Sequence, residues 1–372
     1  MKNESVIFRK CSPFSRLAFC FAVLYFSTNA DYSIAQEKTY SKPALADQNS
    51  WSLILLPDPQ AYVKFGRNQP ILDLMTSWIS ENISQLNIQT VLCTGDLVDK
   101  NELAVPDGLK ANQSSVEQWK AVSSAFSKMD GKVSYVTATG NHDYGIFNFE
   151  NRKTSFDQYF PINKNPKNRE VLRHVGLNAD GRPTLENAAY EFFPPNGKKI
   201  LAISLEYLPR NEIVQWAKEL VDSDVYSNHL VILLTHFYLG SDNNYLTTNK
   251  TSEKNWNDGA DLWNKLVKPA KNIQLVLAGH IGKPDDPKGH IGFRQDKNSA
   301  GKNVAQMAFN AQGLGGGFDG NGGDGWLRIL EFLPDNKSVY VRTFSPLFAT
   351  SPSTNQLSWR EAEYDEFTFR LD

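Results

Sequence analysis

Short apolar runs that end in glycine and polar residues recur along the chain and predict buried strands. Five of these runs are followed within five residues by an Asp, an Asn or a His. The runs cover residues 53–56, 90–93, 133–136, 230–234 and 273–277. Their polar endings are Pro57-Asp58-Pro59-Gln60, Gly95-Asp96-Leu97-Val98-Asp99, Gly140-Asn141-His142-Asp143, Thr235-His236 and Gly279-His280. Because ligands of open α/β sheets bind at the ends of strands, the pattern predicts one shared site there.

Apolar residues with helical spacing predict helices between these strands. The predicted spans are residues 71–83, 116–126, 211–221 and 255–267. The pair Ser114-Ser115 is a start signal for the second helix, and Pro269 ends the fourth. Strands and helices therefore alternate from Trp51 onward, and the predicted helices stop after His280.

The last third of the chain has a different pattern. Residues 304–311, 325–333 and 338–344 predict strands that could pair antiparallel, and the turn 335–337 would join the last two. The glycine-rich stretch 313–325 predicts either a mobile loop near the site or a plain surface loop. Earlier in the chain, residues 148–183 lack clear periodicity and predict an irregular insertion that shapes the cleft.

Composition places the chain among ordinary globular proteins. It has 372 residues, of which 41% are hydrophobic and 12% aromatic, so it can bury a large core. Charged residues make up 22%, and the formal net charge is −2. Nothing in this balance indicates a nucleic-acid polymer as a partner.

The N-terminus has the pattern of a secretory signal peptide. A basic start is followed by the apolar stretch 17–26 and then by small residues. The apolar stretch is shorter than the roughly 20 residues that span a bilayer, and the alternative is an uncleaved signal anchor. We expect residues 1–35 to be a signal peptide, 36–50 a linker and 51–372 the folded domain. The mature protein would be exported, periplasmic or secreted, without a membrane span.

The residue types at the strand ends are those that bind divalent metals. Asp58 and Asp96 offer carboxylates on neighbouring strand ends. If Asp96 bridges, two cations could lie roughly 3.5–4 Å apart, as in two-metal phosphatases. Asn141, His236 and His280 would complete the second site with one amide oxygen and two imidazoles.

His142 follows a candidate ligand in the same tight turn, so its side chain should point elsewhere, above the metals. There it could donate a proton to a leaving-group oxygen. Asp99 is placed to hold that imidazole protonated. Each motif alone is weak, because Asp and Asn are common in turns. Together, and each at a strand end, the motifs favour a joint metal site.

These motifs resemble those of the calcineurin-like metallophosphoesterase family, which run Asp-x-His, Gly-Asp-x-x-Asp, Gly-Asn-His-Asp/Glu, His and Gly-His-x-His. The resemblance covers roughly residues 51–344, and the motifs at 95–99 and 140–143 match fully. It implies an α/β fold of the α+β type, a four-layer αββα sandwich with two mixed β-sheets. It assigns Asp58 to the first metal, Asp96 to both metals, Asn141, His236 and His280 to the second metal, His142 as the proton donor and Asp99 as its partner.

Two departures from the family pattern concern the first metal. Gln60 stands where the family usually has His, and Gly282 stands where the second His of the last motif belongs. A branch of the family also carries Asp-Pro-Gln, so Gln60 alone does not imply inactivity. His290 either folds back as a substitute ligand or is an exposed loop histidine. A first site built from Asp58, Asp96 and the Gln60 amide oxygen would favour Mn²⁺ or Mg²⁺ over Zn²⁺ and would bind weakly.

The resulting hypothesis is a metal-dependent phosphoesterase with two divalent ions, either Mn²⁺ or an Fe/Zn pair. A metal-bound water would attack phosphate mono- or diesters, and His142 would assist the leaving group. Asn310, Gln312 and Arg152 are weaker candidates for substrate binding. The rival hypothesis is a non-catalytic or single-metal binding protein with a degraded first metal site.

Export is testable directly. We predict that the chain is cleaved near Ala30 or Ala35 in its native host, because the basic start, short apolar core and small residues are those that signal peptidase recognises. N-terminal sequencing of the mature protein would show the new terminus. Recovery of intact Met1 on a cytoplasmic protein would contradict the prediction.

Overall fold

The apolar runs form strands that are buried along almost their whole length. The computed structural model describes residues 40–146, 149–195, 197–248 and 255–372. Within those ranges the strands are β1 (Trp51–Leu56), β2 (Ile88–Cys93), β3 (Ser134–Thr137), β4 (Leu172–Leu177), β5 (Pro183–Phe192), β6 (Ile200–Ser204), β7 (Leu230–Leu234), β8 (Ile273–Ala278), β9 (Ile291–Lys297), β10 (Asn303–Phe309), β11 (Leu327–Phe332), β12 (Ser338–Phe344), β13 (Trp359–Arg360) and β14 (Phe367–Arg370).

The helices lie between the strands and are mostly short. Their bounds are α1 (Gln60–Val63), α2 (Gln69–Asn82), α3 (Ser115–Ser127), α4 (Phe156–Tyr159), α5 (Pro166–Val171), α6 (Asn211–Asp222), α7 (Gly259–Leu262) and α8 (Pro346–Ala349). Ser114 caps α3 as predicted, with the Glu117 side chain completing a capping box. The predicted helix start at residue 255 is wrong. The extended backbone and side-chain cap of Asp258 delay α7 to Gly259, and a π-helical turn, Trp263–Val267, continues it.

Strand pairing gives two mixed seven-stranded sheets. In the first sheet β1, β2 and β3 are parallel, and β11, β12, β13 and β14 extend it antiparallel. In the second sheet β6, β7, β8 and β10 are parallel, with antiparallel β4 and β5 on one side and β9 on the other. The predicted antiparallel pairing of β10 with β11 and β12 is therefore wrong. A short apolar run indicates burial but not strand direction, and β10 pairs with β8 instead.

Alternation along β7 shows how the layers stack. Leu230, Ile232 and Leu234 pack into the core between the sheets, whereas Val231 and Leu233 pack against the helical layer with α6. Residues of α2 and α3 cover the first sheet and belong to the same core as its strands. The order of layers is thus helix, sheet, sheet, helix, and the predicted four-layer αββα sandwich is confirmed.

The stretch predicted as an irregular insertion, 148–183, is more ordered than expected where the structure describes it. It contains α4, α5 and β4 and reaches the start of β5. Phe156 and Phe160 pack into the core, where Phe160 meets Phe126 edge-on at 5.5 Å between ring centroids. Strand β5 was not predicted from the sequence, because two buried polar residues, Glu186 and Asn187, interrupt its apolar residues.

The predicted signal peptide, residues 1–35, lies outside the described residues. Among the residues that are described, no helix is long and apolar enough to cross a bilayer. Residues 40–50, the described part of the predicted linker, contact the first sheet. The backbone N–H of Ala46 donates to Glu331 at 2.7 Å, and the indole of Trp359 donates to the Ser41 carbonyl at 2.8 Å.

Candidate metal centre

The five polar strand endings meet at one edge of the sandwich. Asp58, Asp96 and Asn141 follow β1, β2 and β3 of the first sheet, whereas His236 and His280 follow β7 and β8 of the second. The site therefore lies where the carboxyl ends of parallel strands from both sheets come together. All five side chains are almost completely buried except His280, which is partly buried.

Four candidate ligand atoms of the second site converge. His236 Nε2 lies 3.2 Å from Asp96 Oδ2 and 3.2 Å from Asn141 Oδ1. His280 Nδ1 lies 3.0 Å from Asn141 Oδ1 and 3.2 Å from His236 Nε2. The Nδ1 atom of His236 contacts the Thr94 carbonyl at 2.9 Å, so that nitrogen donates and Nε2 faces the site. One carboxylate, one amide oxygen and two imidazoles around a common point suit a divalent cation.

Electrostatics agree with a cation at this point. Burial opposes charge on His236, but the carboxylates of Asp96 and Asp58 outweigh it and raise the pKa of His236 to about 9. Burial and the neighbouring His236 lower the pKa of His280 to about 3. Burial also opposes charge on Asp96, yet the imidazoles of His236 and His142 hold the pKa of Asp96 below its usual range. The buried negative charge thus requires a positive partner, which a metal ion could supply in place of a proton.

Asp58 is held by three donors. The Thr94 hydroxyl donates to Oδ1 at 2.6 Å, and Oδ2 accepts from the His280 backbone N–H at 3.0 Å and from the Asn310 amide at 2.6 Å. Burial nevertheless raises the pKa of Asp58 to about 7, against the opposing effect of His236. The three donors therefore fix the orientation of the Asp58 carboxylate, but they offset only part of the cost of burying its charge.

The side chain of Gln60 carries a buried oxygen without a partner. Its amide nitrogen donates to Gln312 Oε1, whereas Gln60 Oε1 accepts no hydrogen bond from the described residues. The residue is only 7% exposed. A buried polar atom without a partner is costly, so this oxygen, on a residue whose backbone N–H donates to the Asp96 carbonyl at 2.9 Å, suits a hard cation.

The direction in which a side chain would leave Gly282 is crowded. A Cβ at residue 282 would lie 3.1 Å from His290 Nε2 and 3.5 Å from the Phe318 ring. His290 is fully buried, so the exposed-loop interpretation is wrong. Its Nδ1 contacts the Asp286 carbonyl at 2.8 Å, and its Nε2 accepts the Gly313 N–H at 3.2 Å. Both nitrogens are therefore occupied, which leaves His290 no lone pair for a metal in this arrangement.

His142 and Asp99 are neighbours, but not through the predicted group. His142 Nδ1 lies 2.7 Å from the Asp99 backbone carbonyl, whereas the nearer carboxylate oxygen is 3.9 Å away. The sequence motif cannot show which oxygen of Asp99 turns inward. The carbonyl contact makes Nδ1 the donor and leaves Nε2 for another partner. The His142 backbone N–H donates to Asp96 Oδ1 at 2.9 Å, which ties the turn to the bridging candidate.

Two of the weaker substrate candidates are engaged elsewhere. Asn310 is fully buried, and its amide is used by Asp58 and by the backbone of the next two residues. The Arg152 guanidinium bonds Glu206 at 3.2 Å and the carbonyl of Leu208 at 2.8 Å. Both side chains are thus already engaged in hydrogen bonds within the protein.

Some residues that shape the site carried no functional assignment from the sequence. Thr94 holds both Asp58 and His236, and Asp143 accepts the backbone N–H groups of Val98 and Gly140 at 3.1 and 2.8 Å. Asp143 thereby joins the turns after β2 and β3. The sequence motif showed the position of Asp143, but it could not show that the carboxylate would accept hydrogen bonds from these two backbone N–H groups.

A cavity of about 290 Å³ opens beside the ligands. Its lining includes a candidate ligand, the candidate proton donor and the glycine-rich loop. The lining residues are Gln60, Ala61, Lys64, Asp99, His142, His280, Gly282, Gln312 and Phe318. The glycine-rich stretch thus lies beside the site, in agreement with its interpretation as a loop near the site and not as a plain surface loop. It is anchored there by an ion pair of 2.8 Å between Asp319 and Lys64.

Comparison with known proteins agrees with this architecture. Residues 59–284 match the model of the calcineurin-like phosphoesterase family. Because the match spans more than half of the chain, the protein belongs to that family. A relative, the uncharacterised protein YvnB of Bacillus subtilis (strain 168), is 26% identical over 333 residues. That alignment covers 87% of this chain but 22% of YvnB, so the chain spans about a fifth of the relative's length.

Solved structures resemble the chain more distantly. A purple acid phosphatase from yellow lupin seeds aligns with a TM-score of 0.47 and 13% identity, covering 89% of this chain and 55% of that chain. A dimetal phosphatase from Danio rerio aligns with a TM-score of 0.48 and 11% identity, covering 87% of this chain and 99% of that chain. At these scores the likeness identifies no substrate for this protein.

The packing around residue 282 generates a prediction. Gly282→His should not rebuild the family's imidazole ligand, because His290 already crowds the position that its Cβ would take. We expect a loss of stability of about 1–3 kcal/mol, the usual cost of overpacking, and no gain in metal affinity. Thermal unfolding and metal titration of the variant would measure both effects.

Gly66→His is the matched control, because a side chain at residue 66 would meet only the Gln113 side chain. We expect this control to change stability less than Gly282→His does. Tighter metal binding by Gly282→His at unchanged stability would contradict the prediction.

Proposed function

We propose that the protein hydrolyses phosphate mono- or diesters at the cavity beside the candidate metal centre. The observation that supports this most is the convergence of Asp96, Asn141, His236 and His280 next to an imidazole, His142, whose Nε2 is left for another partner. Family membership supports the same reaction class. The substrate would enter the cavity, and its phosphate group would meet the ligands at the cavity floor.

Two sets of residues would hold divalent ions. Asp58, Gln60 and Asp96 form the candidate first site, and Asp96, Asn141, His236 and His280 form the candidate second site. Bound there, divalent ions supply Lewis acidity toward the phosphate and water and neutralise charge. The first site has oxygen ligands, which favours Mn²⁺ or Mg²⁺, whereas the imidazoles of the second also suit Zn²⁺ or Fe.

His142 would act on the leaving group. Its ring is oriented by the hydrogen bond to the Asp99 carbonyl, so Nε2 is the atom that can hold a proton toward the cavity. A proton given from Nε2 to the departing oxygen would avoid release of an alkoxide. Asp99 then serves to orient His142 through its backbone.

The altered first site supports a second candidate function, a single-metal binding protein without catalysis. Its basis is the missing imidazole at Gly282, where His290 crowds the position that a Cβ would take. Metal content of the purified protein, beside hydrolysis of an aryl phosphate monoester and a diaryl phosphate with added Mn²⁺, separates the two functions. Hydrolysis supports the phosphoesterase, and one bound ion without hydrolysis of either ester supports the alternative.

Asp96→Asn should abolish hydrolysis and lower metal content. Asp96 is the one carboxylate assigned to both ions, and its loss removes charge from both sites. Metal analysis and turnover of the purified variant provide the measurement. Asp365→Asn is the control, since Asp365 is similarly buried but pairs with Arg360. Near-normal turnover and metal content in Asp96→Asn would refute the two-metal assignment.

His142→Ala should slow hydrolysis by roughly 10²–10⁴-fold, the usual contribution of a general acid, and leave metal content unchanged. The loss should shrink for esters with acidic leaving groups, which need less protonation. Steady-state rates over a series of aryl phosphates would show this dependence.

His174→Ala is the matched control, because His174 bonds Tyr226 outside the site. It should leave the rate and its dependence on the leaving group unchanged. Loss of metal in His142→Ala would make His142 a ligand instead of a proton donor.

A further inference from the structure

The segment that follows β10 contacts both residues assigned only to the first metal site. Asn310 donates to Asp58 Oδ2 at 2.6 Å, and Gln312 accepts the amide nitrogen of Gln60. Asn310 is fully buried and Gln312 is 5% exposed. One short segment therefore holds the two side chains that the first site does not share with the second.

The segment is itself fixed. Asn310 Oδ1 accepts the backbone N–H groups of Ala311 and Gln312 at 2.7 and 3.1 Å. The Asn310 N–H donates to the His290 carbonyl at 2.9 Å, and the Gly313 N–H donates to the His290 ring. The contacts on both sides of residues 310–313 leave little freedom for Gln312 to move away from Gln60.

The contact with Gln312 decides which atom of Gln60 is available. With its nitrogen bound to Gln312, the Gln60 amide has a buried Oε1 that finds no partner among the described residues. An amide oxygen can bind a cation, whereas an amide nitrogen cannot. Loss of the Gln312 acceptor would let the amide rotate and turn its nitrogen toward the site.

We propose that residues 310–312 position the first metal site, with Asn310 aiming Asp58 and Gln312 aiming the Gln60 oxygen. The inference rests on the proposed function, because it assumes that a divalent ion binds there. Gln312 is a positioning residue that acts through Gln60 and is not itself a ligand.

The test is metal binding by the purified protein. Mn²⁺ titration, with free ion followed by electron paramagnetic resonance, reports affinity without any need for turnover. Gln312→Leu should weaken one of two Mn²⁺ sites by roughly 10–100-fold, as loss of a partner of a metal ligand usually does. Gln312→Glu keeps an acceptor for the Gln60 amide and should retain at least wild-type affinity.

A double-mutant cycle separates positioning from general damage. Gln60→Leu should weaken the same site, and adding Gln312→Leu to it should cause no further loss, because the two residues act as one unit. Gln306→Leu is the matched control. Gln306 is a buried glutamine on β10 that accepts from Tyr238 and donates to Asp296, away from the metal centre. It should alter thermal stability but not Mn²⁺ affinity.

The outcomes distinguish this inference from the proposed function. Two Mn²⁺ ions bound equally well by wild type and Gln312→Leu would overturn the positioning role and leave the phosphoesterase intact. Additive losses in the double variant would also overturn it, because Gln312 would then act independently of Gln60. Wild-type protein that binds no divalent ion would overturn the proposed function and this inference together.

Discussion

The constraint on which the site depends is the burial of two carboxylates, Asp58 and Asp96, within contact distance of one imidazole. His236 lies 3.2 Å from Asp96 and 3.8 Å from Asp58. Buried charges are costly unless they are paired and hydrogen-bonded. Much of the local structure reduces this cost by supplying hydrogen-bond donors to the two carboxylates. The side chains of Thr94 and Asn310 and the backbone N–H groups of His142 and His280 donate to these carboxylates.

The glycines of the motifs follow from the same constraint. A Cβ on Gly140 would lie 2.1 Å from Asp96 Oδ1, and a Cβ on Gly279 would lie 2.2 Å from Asp58 Oδ1. Only a residue without a side chain lets the backbone N–H groups of these turns approach the acids so closely. The residue types in these motifs are therefore determined by the limited space around the carboxylates as well as by the need for metal ligands.

The sequence alone was enough to predict the features that depend on a local pattern of residues. Apolar runs and their polar endings located the central strands, and the Ser114 cap located α3. Features that depend on side-chain direction were not predictable. The pattern placed Asp99 beside His142 but could not show that its carbonyl makes the contact. The pattern allowed His290 to be either a substitute ligand or an exposed loop histidine. The ring is instead buried, and both of its nitrogens are hydrogen-bonded.

Strands β5 and β9 were missed for related physical reasons. Buried Glu186 and Asn187 interrupt β5, because polar partners inside the protein satisfy them, and no local rule anticipates such partners. Strand β9 is an edge strand whose second half alternates between partly buried and exposed polar residues, so its apolar signal is weak. Tertiary contacts, which a single sequence does not display, decide both cases.

The origin of the candidate ligands in both sheets has a mechanical consequence. Asp58, Asp96 and Asn141 belong to turns of the first sheet, whereas His236 and His280 belong to turns of the second. An ion in the second site would join Asp96 and Asn141 of the first sheet to His236 and His280 of the second, in addition to the apolar packing and the hydrogen bonds that already connect the two sheets. By linkage, such an ion stabilises the folded chain in proportion to the logarithm of its concentration above the dissociation constant. The resistance of the sandwich to unfolding would then report the supply of metal in the compartment where the protein resides.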